Sequence, residues 1–535
     1  MTAINYASRR SPVLTTRGVV ATSQPLAAQA GLRILLAGGN AADAAIAAAA
    51  ALNVVEPMST GIGGDAFALY YDATTRRVSA LNGSGRAPEA LSIAAFEERG
   101  LQQVPITGML PVTVPGTVDA WAELLAQHGT MTLAQVLTPA IEYAERGFPV
   151  SEIIARGWNN AVERLRSHPD TARTYLIDGQ RAPRMGEVFR QPALARSLGA
   201  IAEGGRDVFY KGPLAEAIVQ TSERYGGYLA MSDFAAHSST WEQPISSSYR
   251  GHTIYECQPN GHGLTALLAL NLLEGFDLAQ YSPGAPEVLH LQIEAMRLAF
   301  ADAATYIADP THADVPTEWL LSPEYSAARL QLIDPQRRAP SVQAGSLPGG
   351  HDTVYLTVVD EAGNAVSFIN SLYYGFGSAV VAGDTGICLQ NRGACFVLDP
   401  QHRNALAPGK RPYHTIIPCM ATRGDALWAS FGVMGGFMQP QGHMQMLVNM
   451  LDFGMNPQQA LDAPRFELID PYHRQDLLAL EHDQTTAARL AAIGHPIADA
   501  TQAGSYGGGQ IIIIDEHGVR HAGSDPRKDG CAVAY

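Results

Sequence analysis

Residues 349–360 read GGHDTVYLTVVD, and this stretch decides how the chain is built. Its glycines close a segment, Pro335 to Gly350, with three prolines, three glycines and no periodicity, which predicts an exposed connection. Thr353–Asp360 is rich in β-branched and aromatic residues and predicts a core strand, followed by the turn-like Glu361-Ala362-Gly363-Asn364 and a second strand, Ala365–Ser371. A threonine where a loop meets a strand can attack the carbonyl carbon of the residue before it. The resulting ester is hydrolysed by water, and the new N-terminal threonine carries its own base in its α-amine. Asp170-Thr171 and Asp384-Thr385 join no comparable loop to a strand, so Thr353 is the better candidate. Taken alone, a threonine at the head of a strand is usually a sheet former.

Outward from this hairpin, helices and strands interleave. A strand-like Gly18–Ala21 precedes helical spacing over Gln24–Leu36, and Asn40 is placed to cap the alanine-rich run Ala41–Val55. Glycine-rich Gly61–Asp65 then leads into an alternating strand, Ala66–Asp72. Helices are predicted at Leu264–Leu273, Val288–Tyr306 and Gly442–Leu451, and strands at Ala426–Val433 and Gln510–Ile514, with gaps short enough for one body. No internal repeat is visible.

With 535 residues, 46% hydrophobic and 16% charged, the chain can bury a large core. Its 36 basic and 51 acidic residues give a net charge of −15, which repels nucleic acid and anionic membranes. Five cysteines without a C-x-x-C pair argue against a disulfide framework or zinc ribbon and for a reducing compartment. The start has no apolar signal region, and the Ala41–Val55 run is too short to span a bilayer, so a cytoplasmic location is expected.

Gly61-Ile62-Gly63-Gly64-Asp65-Ala66 fits G-x-G-x-x-A, yet it follows a helix and opens a strand, the reverse of a dinucleotide site, and reads as a tight turn. No G-x-S-x-G, H-E-x-x-H or Walker motif occurs. His517 and His521 lack a clear third ligand and read as exposed loop residues, so no metal is expected.

The runs LAAQAGLRILLAGGNAADAAIAAAAALNVVEPMSTGIGGDAF (26–67), VTVPGTVDAW (112–121), EAMRLAFADA (294–303), TVYLTVVDEAGNAVSF (353–368), VMGGFMQPQGHMQMLVNMLDFGMNPQQALDAPRF (433–466) and GSDPRKDG (523–530) resemble the γ-glutamyltransferase family of N-terminal nucleophile hydrolases. The resemblance implies an α+β fold, a four-layer αββα sandwich, made as one structural domain by two autoprocessed chains, 1–352 and 353–535. It implies cleavage between Asp352 and Thr353, Thr353 as nucleophile, and Ser371 in place of a threonine that orients it. Gly435 and Gly436 fall on the paired glycines whose N–H groups stabilise the oxyanion. No metal or organic cofactor is implied.

The departures bear on the substrate. Cys395 and Arg392 stand where transpeptidases of the family hold the substrate ammonium with Asp and Gln. Tyr373 replaces an Asn of the pocket, and His414-Thr415 replaces a Ser-Ser pair that binds the α-carboxylate. The family arginine for that carboxylate is displaced, with Ser84 at its place and Arg86 two residues on. An arginine facing the site repels an ammonium and attracts a carboxylate, which predicts a small anionic amide as substrate and Arg392 or Arg86 as its clamp. The pattern is most similar to family members that hydrolyse oxamate, in purine catabolism, to oxalate and ammonia. γ-Glutamyl transfer, glutathione hydrolysis and glutaryl-type acylase activity are alternatives, and a non-catalytic binding protein ranks last. The expected partners are this substrate and each processed chain for the other; homodimerisation is open.

Overall fold

A computed structural model describes residues 10–342, 353–469, 477–499 and 504–535. Among them, strands form two seven-stranded antiparallel sheets and two short two-stranded ribbons. One large sheet runs in the order Cys531–Ala534, Val19–Thr22, Val354–Val359, Ala365–Ser371, Asp65–Asp72, Arg77–Gly83 and Thr240–Glu242. The other runs Val13–Thr15, Arg520–Ser524, Gly508–Ile514, Ala426–Met434, Cys419–Arg423, His252–Glu256 and Ile245–Tyr249. Both sheets mix strands from either side of residue 352.

The strand period explains the layering. Tyr355 and Val359, Ala365 and Ile369, and Phe67 and Leu69 point between the sheets into one apolar cluster. Their neighbours Val354, Leu356, Val366, Phe368, Ala66 and Ala68 point outward into a cluster shared with helices. Strands buried on both faces read as continuous apolar runs, which is why 353–360 shows no polar alternation. Gly432 lets the sheets close up, since a Cβ there would lie 2.5 Å from the Tyr355 ring, and the Thr357 and Ser430 hydroxyls bond across the gap at 2.7 Å.

Helices cover both outer faces and complete the expected αββα sandwich. Against the first sheet lie Pro25–Leu36 and Ala41–Val55, the second buried at every residue. A helix apolar all round belongs inside, and alanines keep it thin enough for strands and helices to pack on it. Asn40 starts it through a capping box: its side chain accepts from the N–H groups of Ala42 and Asp43, while Asp43 accepts from the Asn40 N–H at 2.9 Å. Against the second sheet, with Pro286–Tyr306 packed on them, lie the helices Gly263–Leu273 and Met438–Leu451.

Several sequence expectations are corrected. The last of these helices starts at Met438 rather than Gly442, because Pro440 sits in its first turn, where a backbone N–H has no helical partner. His521 lies on the strand Arg520–Ser524 and pairs with Asp515 at 3.0 Å instead of occupying a loop; His517 is in the turn before it. The described part of the Pro335–Gly350 connection is largely exposed, as expected, and is tied down at Ala339. The Ala339 N–H donates to Glu294 at 2.9 Å, and its carbonyl accepts from Arg297 at 3.1 Å. Residues 343–352, including Asp352, lie outside the described residues. All five cysteines are unpaired thiols, four of them buried, and no described helix is long and apolar enough to cross a membrane.

Replacing Asn40 with alanine removes the bonds its side chain accepts from the Ala42 and Asp43 N–H groups, while the backbone N–H that donates to Asp43 is kept, and is expected to cost about 1 kcal/mol. Thermal unfolding reads this as a lowered melting temperature; an unchanged one would show that the cap contributes nothing to Ala41–Val55.

Candidate active site

The hairpin register builds the site. Val354 faces Asn370, so Thr353, one step earlier, stands across from Ser371, and Ser371 in turn faces Asp65 on the next strand. These three positions share the face between the sheets, at one end of three adjacent strands. Thr353 is 2% exposed, and its Oγ1 lies 3.2 Å from the Ser371 hydroxyl. Ser371 Oγ accepts from the Tyr373 N–H at 2.8 Å and from Arg392 Nη2 at 3.3 Å. Either hydroxyl of the Thr353–Ser371 pair can be the donor. Gln439 Nε2 also reaches Thr353 Oγ1, at 3.5 Å, while Gln439 Oε1 accepts from the Ile417 N–H.

Arg392 belongs to this group and not to the surface. It is fully buried in a single 3-10 turn, Arg392–Cys395. Its Nη1 donates to Thr415 Oγ1 at 2.7 Å, and its guanidinium stacks 4.3 Å over the Tyr373 ring. Its Nε has no hydrogen-bond partner among the described residues. Tyr373, at φ +81°, holds a conformation uncommon for a bulky residue, which turns its ring under the guanidinium. Cys395 bonds to Tyr373, and burial pushes its thiol up, so it stays protonated.

His414 is reached through an acid that the sequence did not single out. Its Nε2 lies 3.1 Å from Asp65 Oδ2, and its Nδ1 accepts weakly from the Ile416 N–H at 3.4 Å. Burial and the nearby Arg392 charge hold the imidazole far below its usual value, so it is neutral with its proton on Nε2. Asp65 Oδ1 accepts from Gly85 N–H, Gly116 N–H and Gln390 Nε2, at 3.0, 3.1 and 2.8 Å.

Gly435 and Gly436 follow the strand Ala426–Met434 and lead into Met438–Leu451, the helix that carries Gln439. At φ +124° and +56° they adopt a backbone that side chains disfavour, and a Cβ on Gly435 would lie 3.1 Å from Gly507 Cα. Arg86 is placed differently. It is partly exposed, and its charge acts on Arg411 and His237, which it helps hold below their usual values. Ser84 is buried and donates to Asn82 Oδ1 at 2.7 Å.

The arrangement therefore unites Thr353, Ser371, Tyr373, Arg392, Thr415 and, through Asp65, His414. Sequence reasoning missed Asp65, Gln390 and Gln439. For Asp65 the available signal was an acid ending a glycine run at a strand start. A buried hydroxyl beside an amide donor, with a guanidinium one hydroxyl away and a glycine pair leading into the helix that carries Gln439, has the parts needed for acyl transfer. Gly64→Ala tests the frame: its Cβ would lie 2.3 Å from the Ser371 carbonyl oxygen. That overpacking is expected to cost about 1–3 kcal/mol and displace Ser371, read as a lower melting temperature. An unperturbed variant would contradict the close approach.

The gamma-glutamyltranspeptidase family profile matches residues 27–535. The glutathione hydrolase-like YwrD proenzyme of Bacillus subtilis (strain 168) is 42% identical over 529 residues, which cover 97% of this chain and 99% of that protein. The oxamate amidohydrolase proenzyme of Klebsiella pneumoniae is 37% identical over 534 residues, 98% of this chain and 99% of that one. The crystal structure of cephalosporin acylase from Bacillus halodurans superposes with a TM-score of 0.93 at 47% identity, covering 100% of this chain and 99% of its own. Sandwich, strand register and near full-length similarity agree, and the chain belongs to the gamma-glutamyltranspeptidase family of N-terminal nucleophile hydrolases.

Proposed function

We propose that this protein is a self-processing amidohydrolase with Thr353 as nucleophile, acting on small amides that bear a carboxylate, with oxamate as the first candidate. The observation that carries this reading is the buried Arg392, joined to Ser371 at 3.3 Å, with Ser371 3.2 Å from Thr353. Thr353 Oγ1 first attacks the Asp352 carbonyl carbon; the amide nitrogen leaves as the α-amine of Thr353, and water hydrolyses the ester. The chain becomes 1–352 and 353–535. Both pieces contribute strands to both sheets, so they stay together without a covalent link.

In turnover, the α-amine takes the Oγ1 proton as the oxygen attacks the substrate amide carbon. Backbone N–H groups at Gly435-Gly436 receive the oxyanion charge, and ammonia leaves with the proton. Water then hydrolyses the acyl ester, giving oxalate from oxamate. No step requires a metal or organic cofactor. The substrate carboxylate lies against Arg392, whose unpartnered Nε is one available donor. Five unpaired thiols fit a reducing compartment such as the cytoplasm.

Charge separates the substrates. A γ-glutamyl compound brings an ammonium, which Arg392 repels, and both Asp65 oxygens are already engaged. A glutaryl amide carries a carboxylate and no ammonium. It is the second reading, favoured by the likeness to cephalosporin acylase.

Thr353→Ala is expected to remain one chain on a denaturing gel and to lack activity, whereas wild type gives two chains. A wild type that stays whole yet hydrolyses amides would contradict the mechanism. Gly436→Val is expected to cost about 2.7–4 kcal/mol in transition-state stabilisation, and wild-type turnover would return the glycine pair to a plain turn. Arg392→Met is expected to cost about 1.5–3 kcal/mol, mainly in kcat/KM, with ammonia release from oxamate and anilide release from glutaryl and γ-glutamyl anilides as the readouts. Preference for the γ-glutamyl anilide would restore the transferase reading.

A further inference from the structure

Asp65 is fully buried, yet donors from four separate stretches of chain converge on it: Gly85, Gly116, Gln390 and His414. The local glycines serve this convergence. A Cβ on Gly85 would lie 1.6 Å from the Val114 carbonyl oxygen, and one on Gly116 would lie 1.8 Å from that of Gly83, so only bare backbone can close on the carboxylate.

The ionised acid is held here at a cost. Burial raises Asp65 to about 6, against the lowering field of Arg392 and its hydrogen bonds. Because the folded value lies above the unfolded one of 3.8, the native state binds the proton more tightly, and the fold loses stability as pH rises through that window. Ionised Asp65 is thus a cost to the fold, which directs attention to the site beside it.

There the carboxylate faces one end of a continuous chain of contacts. Asp65 accepts from His414 at 3.1 Å; Thr415, next in sequence, accepts from Arg392 at 2.7 Å; Arg392 donates to Ser371, which meets Thr353. We propose that Asp65 is a positioning residue for the hydrolysis, fixing His414 and Thr415 so that the Arg392 guanidinium is held where a substrate carboxylate must lie relative to Thr353. This rests on the threonine amidohydrolase reading above.

The ionised form is the working one, because a protonated Asp65 accepts only weakly from His414, its Oδ1 being taken by three other donors, and no longer balances Arg392. The charged and titratable groups around it are Arg392, His414 and Arg411, with His262 and Tyr210 beyond; His262 and His414 are neutral at working pH. The α-amine of processed Thr353 titrates higher, at about 7.7–8.0 for an ordinary chain terminus. Two groups therefore govern the acid side of the profile.

The test measures kcat and KM against pH for wild type, Asp65→Asn and Asp65→Glu, using oxamate and a glutaryl anilide, with processing followed on gels. Below about pH 6, log kcat/KM of wild type is expected to fall with two protons, and that of Asp65→Asn with one. At neutral pH, Asp65→Asn is expected to lose about 10–100-fold in kcat/KM, carried mostly by KM, with partial recovery in Asp65→Glu. Processed Asp65→Asn with wild-type KM and a two-proton limb would overturn the inference. If Asp65→Asn does not yield processed chains, His414→Gln, which keeps an N–H donor, and His414→Leu, which does not, carry the test. KM is then expected to rise about tenfold in the leucine variant alone, and equal KM in both would overturn the inference. Activity in Thr353→Ala would instead overturn the reading beneath it.

Discussion

The site rests on one register. Val354 pairs with Asn370 and Ser371 pairs with Asp65, so three strand ends bring a threonine, a serine and an aspartate into one row between the sheets. A slip of one residue in the hairpin would turn Thr353 toward the helices and break the row. The turn at Asp360–Asn364 guards against it: Asp360 accepts from the Asn364 N–H at 2.9 Å and from its side chain at 3.0 Å, and Asp360 also accepts from the Ala41 N–H. The buried helix Ala41–Val55 and the strand Val354–Val359 are thus indexed to each other by one side chain.

Around that row the protein buries charges that water would otherwise hold. Arg392 contacts hydroxyls, a thiol and an aromatic face rather than a carboxylate, and Asp65 sits beyond it as the compensating charge. A buried guanidinium without a bidentate acid partner is costly for folding; in the proposed reading its unpartnered Nε serves an anionic substrate. The same logic separates Arg392 from Arg86, which remains partly exposed and influences Arg411 and His237.

Much of this was legible in the sequence, because its signals are local. The hairpin, the capped alanine helix and the apolar strands follow from β-branched runs, a cap residue and period-based spacing, and each lies within a residue or a few of its expected bounds. Thr353 was proposed from its junction and from family resemblance, and the fold sets its hydroxyl 3.2 Å from that of Ser371. Asp65 was not, since its partners lie 20, 51, 325 and 349 residues away, and no spacing rule connects an acid after a glycine run to a histidine near the C-terminal third. Arginine is usually exposed, so the burial of Arg392 needed the fold. The anchored Ala339 was hidden for the same reason: its partners are side chains of a distant helix.

The central claim is that a guanidinium next to the nucleophile reads a carboxylate on the substrate. Comparing kcat/KM for oxamate with that for oxamide, its neutral counterpart of nearly equal size, isolates this charge. The account expects wild type to prefer oxamate by about tenfold or more, and Arg392→Met to lose that preference. Equal turnover of the two amides by wild type, or a preference for oxamide, would contradict it.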